Sequence, residues 1–180
     1  MAIKRLFFGT FVDSTLFNDT MNELRNSFSE VCTGKWTESN ILHFTYKFLG
    51  NVDEEKIPDI RKYVSRSLRE TNSSLRLGGL GFFPLNNNPN ILFAKVFDPH
   101  KSVFGHFNNI EKNMVRLGFQ PEKRKFFPHI TLLRIKTAQS DFKDVFDKLK
   151  EVQFGLMKSY RINLIESTLT PEGPIYKILV

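Results

Sequence analysis

The chain has 180 residues, of which 41% are hydrophobic and 25% are charged. These values are typical of a globular protein with one buried core, and no apolar run is long enough to span a bilayer. Cys32 is the single cysteine, which excludes an internal disulfide framework and a multi-cysteine metal site. The first residues are typical of a strand rather than of a signal peptide, so we expect a cytoplasmic protein with a single domain over 1–180.

The sequence is basic, with 26 Lys and Arg against 19 Asp and Glu, a formal charge of +7 and a pI near 9.5. A basic surface attracts polyanions by its long-range field. Many basic domains nevertheless have no acidic partner, so the charge alone leaves nucleic-acid or phosphate binding open.

An internal repeat connects the two halves of the chain. The first half contains an apolar helical stripe of Phe17, Met21, Leu24, Phe28 and Val31. The second half contains a matching stripe of Val103, Phe107, Ile110, Met114 and Leu117, which follows Asp98-Pro99 and ends at Gly118. Every pair of counterparts differs by 86 positions, for example 103 − 17 and 117 − 31. The same offset pairs Leu6 with Leu92 in the preceding strands, so we predict two similar lobes.

The remaining elements complete these lobes. Two further helices are predicted at about 53–72, with Ile57, Ile60, Val64 and Leu68, and at about 140–150. Further strands are predicted at about 75–83, 152–166 and 174–179. The sequence therefore predicts an α+β fold of two antiparallel-rich sheet-plus-helix lobes, built around 1–72 and 88–150 and related by an approximate two-fold axis. Paired functional residues would meet in the groove between the lobes.

Two of the four histidines lie in His-x-Thr motifs, His43 with Thr45 and His129 with Thr131. Both motifs lie in predicted strands, where residues two apart share a face, so each threonine points to the same side as its histidine. A lone strand histidine is usually structural. Two copies at the repeat offset (129 − 43 = 86 and 131 − 45 = 86) indicate a functional site instead.

Two facing imidazoles suit the opening of a cyclic phosphate. This reaction needs a base to take a proton from water and an acid to protonate the leaving sugar oxygen. Histidine, with an ordinary pKa near 6.5, can do either near neutrality, and each proton transfer contributes typically 10²–10⁴-fold to the rate. Neither a metal nor a cofactor is expected, because a zinc site would need further ligands. His100 and His106 are predicted to be surface or boundary residues of a helix.

Basic side chains near the motifs are candidates for binding a substrate phosphate, because arginine binds phosphate through two parallel hydrogen bonds. Arg124 and Arg134 lie near the second motif. Arg134 is an odd number of residues from His129, so a regular strand would aim it away from the groove unless a bulge redirected it. Lys47 has the same parity as His43 and is predicted to add positive charge to the groove.

Several segments together resemble the LigT-like RNA 2′,3′-cyclic phosphodiesterases of the two-histidine phosphoesterase superfamily. The two signatures are similar to residues 35–50, which contain His43-Phe44-Thr45, and residues 124–134, which contain His129-Ile130-Thr131. The opening at 5–9, the middle at 80–84 and the ending at 166–176 also match, so the resemblance covers nearly the whole chain. Tyr46 and Phe93 depart from the family's usual residues at positions that bear on substrate preference.

The resemblance implies that His43 donates a proton to the leaving 3′-oxygen and that His129 activates water. The product would be a 2′-phosphate, formed without a cofactor. We expect a monomer that acts on RNA ends such as tRNA fragments, or on small cyclic nucleotides. Three alternatives remain open at this stage. They are a 2′–5′ ligase or 2′–5′ phosphodiesterase on the same site, an RNA-binding module without turnover, and a metal-dependent hydrolase that a chelator would inactivate.

Overall fold

The computed structural model describes residues 2–65, 70–84 and 88–180. Its helices are α1 (Asn18–Ser29), α2 (Ile57–Val64), α3 (Ser102–Arg116) and α4 (Phe142–Leu149). Its strands are β1 (Ile3–Phe11), β2 (Cys32–Trp36), β3 (His43–Asp53), β4 (Glu70–Thr71), β5 (Leu75–Phe83), β6 (Ile91–Phe97), β7 (His129–Ala138), β8 (Gln153–Met157), β9 (Tyr160–Arg161), β10 (Asn163–Thr170) and β11 (Gly173–Ile178). In these ranges no helix is both long and apolar enough to cross a membrane.

Nine strands form one antiparallel sheet in the order β11-β10-β1-β3-β7-β6-β5-β8, and β2 pairs with β7 beside this path. The sheet has two equivalent halves, β11-β10-β1-β3 and β8-β5-β6-β7. They join where Phe44 of β3 pairs with Ile130 of β7. These two residues differ by 86 positions (130 − 44), so the approximate two-fold axis passes between them. The predicted α+β class with two similar lobes is confirmed, although the lobes share one sheet.

The hydrophobic core lies between the helices and one face of this sheet. Phe44 and Ile130 are fully buried there, together with Leu24 of α1 and Ile110 of α3. Neighbouring residues in a strand point to opposite faces, so the histidines and threonines that flank Phe44 and Ile130 lie on the other face. The core thus fixes which side chains are available to a substrate.

Three predicted boundaries were wrong. The helix predicted at 53–72 is a 3₁₀ turn at Glu54–Lys56 followed by α2, and residue 70 already lies in β4; Leu68 lies outside the described residues. The helix predicted after Asp98-Pro99 begins only at Ser102, and the Asp98 carboxylate accepts from the backbone N–H of Val103 at 2.7 Å. The strand predicted at 152–166 is β8, β9 and the start of β10, because β8 pairs with β5 in one half and β10 with β1 in the other.

A buried hydrogen-bond chain supports β3 beside the groove. The Tyr46 hydroxyl lies 3.1 Å from Thr10 Oγ1, and this oxygen donates to the Arg161 carbonyl at 2.9 Å, so the tyrosine is the donor to the threonine. Tyr46 is 3% exposed and Thr10 is fully buried. Burial raises the pKa of Tyr46, so the hydroxyl stays protonated.

We expect Thr10→Val to lower the free energy of unfolding by about 1–3 kcal/mol, because it leaves the Tyr46 hydroxyl buried without an acceptor. Tyr46→Phe should cost only about 0.5–1.5 kcal/mol, since Thr10 keeps its bond to the Arg161 carbonyl. The double variant should therefore be at least as stable as Thr10→Val. Urea unfolding of the three variants measures this, and strictly additive losses would contradict the hydrogen-bond chain.

Candidate active site

A groove of about 1320 Å³ crosses the face of the sheet opposite the core. His43, Thr45, His129 and Thr131 all line it. With Phe44 opposite Ile130 in an antiparallel pair, each histidine lies across from the threonine of the other motif. The two histidines are then diagonal neighbours, which in a sheet stand about 7–8 Å apart. The structure therefore brings together the four residues that the repeat singled out.

Both imidazoles are oriented in the same way by the backbone. His43 Nδ1 lies 2.7 Å from the Ile41 carbonyl, and His129 Nδ1 lies 2.8 Å from the Phe127 carbonyl. A carbonyl oxygen only accepts, so Nδ1 carries the proton in each ring. Each Nε2 is left for proton exchange with a bound substrate, as a base in the neutral ring and as an acid in the cation. The two residues that supply these carbonyls, Ile41 and Phe127, are also separated by the repeat offset (127 − 41 = 86).

An aromatic cluster of lobe 1 surrounds His43. Its ring centroid lies 5.2 Å from Phe7, 5.9 Å from Phe11 and 5.1 Å from Tyr176, whose ring meets it edge-on. Burial lowers the pKa of His43, and the charges of Arg134 and His129 lower it further, while the bond to the Ile41 carbonyl acts in the opposite direction. In the free protein the neutral ring is thus favoured more than in water.

His129 has a corresponding but more open cluster in lobe 2. Its ring lies 5.1 Å from Phe93, 5.6 Å from Phe83 and 6.2 Å from Phe127. Phe83 and Phe127 are both exposed. Both histidines are half-buried and share their orientation, but the rings around His129 are more exposed than those around His43.

A bulge in β7 directs Arg134 into the groove. Phe93 is opposite Thr131 and Leu92 is opposite Leu133, so Leu132 is the additional residue. In a regular strand, a residue five positions from His129 would point to the opposite face. The bulge shifts this alternation by one residue, so Arg134 lies on the groove face. The Arg134 charge acts on both His43 and Tyr176. Among the residues that the structure describes, Arg134 is therefore the cationic side chain best placed beside the histidines.

An equivalent bulge lies in β3, directly before Lys47. Phe8 is opposite Lys47 and Gly9 is opposite Thr45, so Tyr46 is the additional residue, 86 positions before Leu132. Lys47 is 4% exposed. Its ammonium group donates to the Glu111 carboxylate at 2.7 Å and to the Gln120 carbonyl at 2.8 Å.

Lys47 is among the residues that line the groove, but its ammonium group is paired with Glu111, so the contribution of its charge to substrate binding stays a prediction. Phe48, the next residue, takes the position in lobe 1 that Arg134 has in lobe 2 (134 − 48 = 86). Phe48 lines the groove, is 64% exposed and packs against Phe7. The repeat offset could have identified Phe48 as a groove residue.

Two loops border the groove. Arg124 lines it from the segment before β7, where its backbone N–H donates to the Glu122 carboxylate at 3.0 Å. The turn between β10 and β11 borders the opposite side, where the Lys35 ammonium donates to the Glu172 carbonyl. This contact connects the last hairpin of lobe 1 to β2, which pairs with β7 of lobe 2. Tyr176 of that hairpin belongs to the groove, although no role was predicted for it.

Acidic and metal-binding side chains are sparse beside the imidazoles. Over 2–65, 70–84 and 88–180, no group of three or more His, Cys, Asp or Glu side chains could hold a metal ion. Cys32 is buried, and burial raises the pKa of its thiol. A buried, protonated thiol is a poor nucleophile, so the imidazoles are the groups best suited to proton transfer in the groove.

The fold and the paired His-x-Thr motifs define a bilobal phosphoesterase. The family model of the LigT-like phosphoesterases matches residues 12–93 and 98–176. The chain belongs to this family.

Relatives support the same assignment. An RNA 2′,3′-cyclic phosphodiesterase of Methanocaldococcus jannaschii is 35% identical over 147 residues, which cover 81% of this chain and 82% of the relative. One of Aquifex aeolicus is 30% identical and covers 99% and 96%. A crystal structure of a Thermus thermophilus protein has a TM-score of 0.79 at 26% identity, covering 98% and 95%. Escherichia coli LigT, solved with 3′-AMP, has the same fold, with a TM-score of 0.75, 21% identity and coverage of 99% and 97%.

Proposed function

We propose that this protein hydrolyses the 2′,3′-cyclic phosphate at the end of an RNA to a 2′-phosphomonoester, with His43 and His129 as an acid–base pair. The observation that carries the proposal is the shared orientation of the two rings, each with Nδ1 held by a backbone carbonyl and Nε2 available in the groove. The names of the relatives from Methanocaldococcus jannaschii and Aquifex aeolicus support this choice of substrate.

The proposed reaction balances with water as the only co-reactant. His129 Nε2 takes a proton from water while the water oxygen forms a bond to phosphorus. The bond between phosphorus and the 3′-oxygen breaks, and His43 Nε2 donates its proton to that oxygen. The products are a 2′-phosphate and a 3′-hydroxyl. His43 then regains a proton from solvent, while His129 returns one.

The assignment of the two roles follows the family resemblance, and the surroundings of the rings are compatible with it. His129 is the ring beside exposed side chains, so water can reach it. His43 packs against Phe7, Phe11 and Tyr176, and its burial favours the neutral ring until a substrate is bound. The substrate phosphate would raise the His43 pKa by its negative charge, and so favour the acidic form when it is needed.

Thr45, Thr131 and Arg134 complete the proposed site. Each threonine hydroxyl can donate to a non-bridging phosphate oxygen beside the histidine opposite it. Arg134 can neutralise the charge that develops on phosphorus, through a hydrogen bond that is strengthened by its own charge. Arg124 and the remaining cations of the groove then contribute general attraction to a polyanion.

The function is tested by incubating the purified protein, in excess EDTA, with a short RNA that ends in a 2′,3′-cyclic phosphate. We expect a single product with a terminal 2′-phosphate, identified by ³¹P NMR and by mass, with EDTA causing no loss of rate. An unchanged cyclic end would overturn the proposal. A 3′-phosphate product would mean that the 2′-oxygen is the leaving group. Loss of activity in EDTA that is restored by Mg²⁺ or Zn²⁺ would favour the metal-dependent alternative.

A further inference from the structure

A second cation lies on the groove face of lobe 1, away from the histidines. Arg5 and Phe7 are two residues apart in β1, so their side chains share one face of the sheet. Phe7 contacts His43 with ring centroids 5.2 Å apart, which identifies this face as that of the groove. Arg5 is exposed and lies one step further from the centre of the sheet, just beyond the side chains that line the groove.

The strand register connects Arg5 to Tyr176. Leu6 is opposite Glu166, so Arg5 lies one position further along, across from Ser167 of β10. Ser167 in turn is opposite Tyr176 of β11. The three side chains therefore form a row across the groove face.

Tyr176 connects this row to the catalytic centre. Its ring meets His43 edge-on at 5.1 Å, and burial raises the pKa of its hydroxyl while the charges of Arg134 and Arg5 both lower it. The phenol group is thus under the electrostatic influence of two guanidinium groups, and the register places one of them, Arg5, two strands away on the same face. Within 2–65, 70–84 and 88–180 its hydroxyl has no hydrogen-bond partner, so it can donate to a ligand.

The two lobes differ at this position. The counterpart of Arg5 in lobe 2 is Ile91 (91 − 5 = 86), which is apolar. Phe48 of lobe 1 corresponds to Arg134 of lobe 2. At these two positions lobe 1 therefore has a cation and an exposed ring, Arg5 and Phe48, whereas lobe 2 has Ile91 and Arg134. A cation with a neighbouring aromatic face is the combination that binds a nucleotide of a single strand.

We infer that Arg5 and the Tyr176 hydroxyl bind the phosphate on the 5′ side of the terminal nucleotide, so that the substrate class is RNA ends rather than isolated cyclic nucleosides. This inference rests on the proposed function, because the cyclic phosphate is placed at the histidines and Arg134. The next phosphate of the chain then reaches Arg5, with Tyr176 between the two phosphates. Charge-assisted hydrogen bonds from both groups favour the longer substrate.

The test compares adenosine 2′,3′-cyclic phosphate with the same compound carrying a 5′-phosphate, and the readout is the ratio of their kcat/KM values. For the unmodified protein we expect the 5′-phosphate to raise kcat/KM roughly tenfold or more, as for a hydrogen bond between charged groups. Arg5→Met and Tyr176→Phe should reduce the ratio toward one. Arg5→Lys should retain part of it, because the charge remains. A ratio near one in the unmodified protein would overturn the inference.

Lys177→Met is the matched control. Lys177 is exposed and follows Tyr176 in β11, so it points to the opposite face of the sheet. Its removal changes the net charge as Arg5→Met does, and the ratio should stay within about twofold of the unmodified value, since exposed charges beyond a Debye length are largely screened. An equal fall of the ratio in Lys177→Met would assign the effect to net charge and contradict a specific subsite.

A binding measurement separates this inference from the proposed function. Calorimetry with adenosine 2′-phosphate and adenosine 2′,5′-bisphosphate needs no turnover. The bisphosphate should bind more tightly to the unmodified protein, and Arg5→Met should remove the difference. If no cyclic phosphate is hydrolysed but this difference persists, the proposed function fails and the subsite stands. If the cyclic phosphate is hydrolysed but both ligands bind equally, the inferred subsite is rejected and the proposed function is retained.

Discussion

Replacing either groove histidine by asparagine should reduce kcat/KM for the cyclic-phosphate RNA by about 10²–10⁴-fold, the usual contribution of one positioned acid or base. Asparagine retains a donor near Nδ1, which can still reach the Ile41 or Phe127 carbonyl, and lacks Nε2. The change therefore removes the proton-transfer atom with the least disturbance of the strand. Steady-state rates for His43→Asn, His129→Asn and the double variant measure the effect.

The double variant should lose little more than the worse single variant, because an acid and a base that act in one step are not additive. His100→Asn is the matched control, since His100 is exposed and precedes α3 outside the groove. It should retain the full rate. Losses below threefold in both single groove variants would contradict acid–base catalysis by this pair, and unchanged melting temperatures would confirm that the variants are folded.

Arg134→Met should lower kcat/KM by roughly 10- to 100-fold, which corresponds to losing a hydrogen bond between charged groups of about 1.5–3 kcal/mol. Methionine preserves the apolar stem and removes the guanidinium group. Lys136→Met is the control, because Lys136 is exposed, lies two residues further along β7 and does not line the groove. Equal losses in the two variants would assign the effect to net charge.

The same Arg134→Met variant should change the pH dependence in a defined direction. Burial lowers the pKa of His43 and the Arg134 charge lowers it further. If His43 is the acid, kcat/KM falls as the pH rises through the His43 pKa, which lies below its usual value of 6.5 in the unmodified protein. Removing Arg134 raises this pKa, so the decline should begin at higher pH. A decline that stays in place or moves to lower pH would contradict the assignment.

The repeat is the part of the fold that the sequence predicts best. An offset of 86 links strands, helices and both His-x-Thr motifs because each lobe uses the same arrangement of elements. The pairing of Phe44 with Ile130 across the approximate two-fold axis is its direct structural result. Helix ends were predicted less well, since Asp98 contacts the Val103 N–H from several residues before the helix begins.

Side-chain direction after a bulge could not be predicted from alternation alone. The extra residues Tyr46 and Leu132 are apolar or aromatic and fit a regular strand pattern equally well. The bulges arise from pairing with β1 and β6, which are distant in sequence, and so no local pattern specifies them. Both Lys47 and Arg134 line the groove, but the Lys47 ammonium pairs with Glu111.

Tyr176 and Arg5 illustrate a second limit. Both lie in segments that resemble the family, yet no periodicity connects a residue of the first strand to one of the last. Their proximity depends on the register of β1, β10 and β11, which is a long-range property of the sheet. A sequence-based search for paired histidines therefore finds the proposed catalytic pair and misses the subsite that we infer across lobe 1.

The most direct test of the proposed acid–base pair uses a substrate in which sulfur replaces the 3′-oxygen of the cyclic phosphate. A thiolate leaves without protonation, because a thiol is far more acidic than a sugar hydroxyl. The rates of His43→Asn and of the unmodified protein should therefore become similar on this substrate, whereas His129→Asn should remain slow because water still needs a base. Rescue of His129→Asn instead would exchange the two roles, and rescue of neither variant would contradict acid catalysis by this pair.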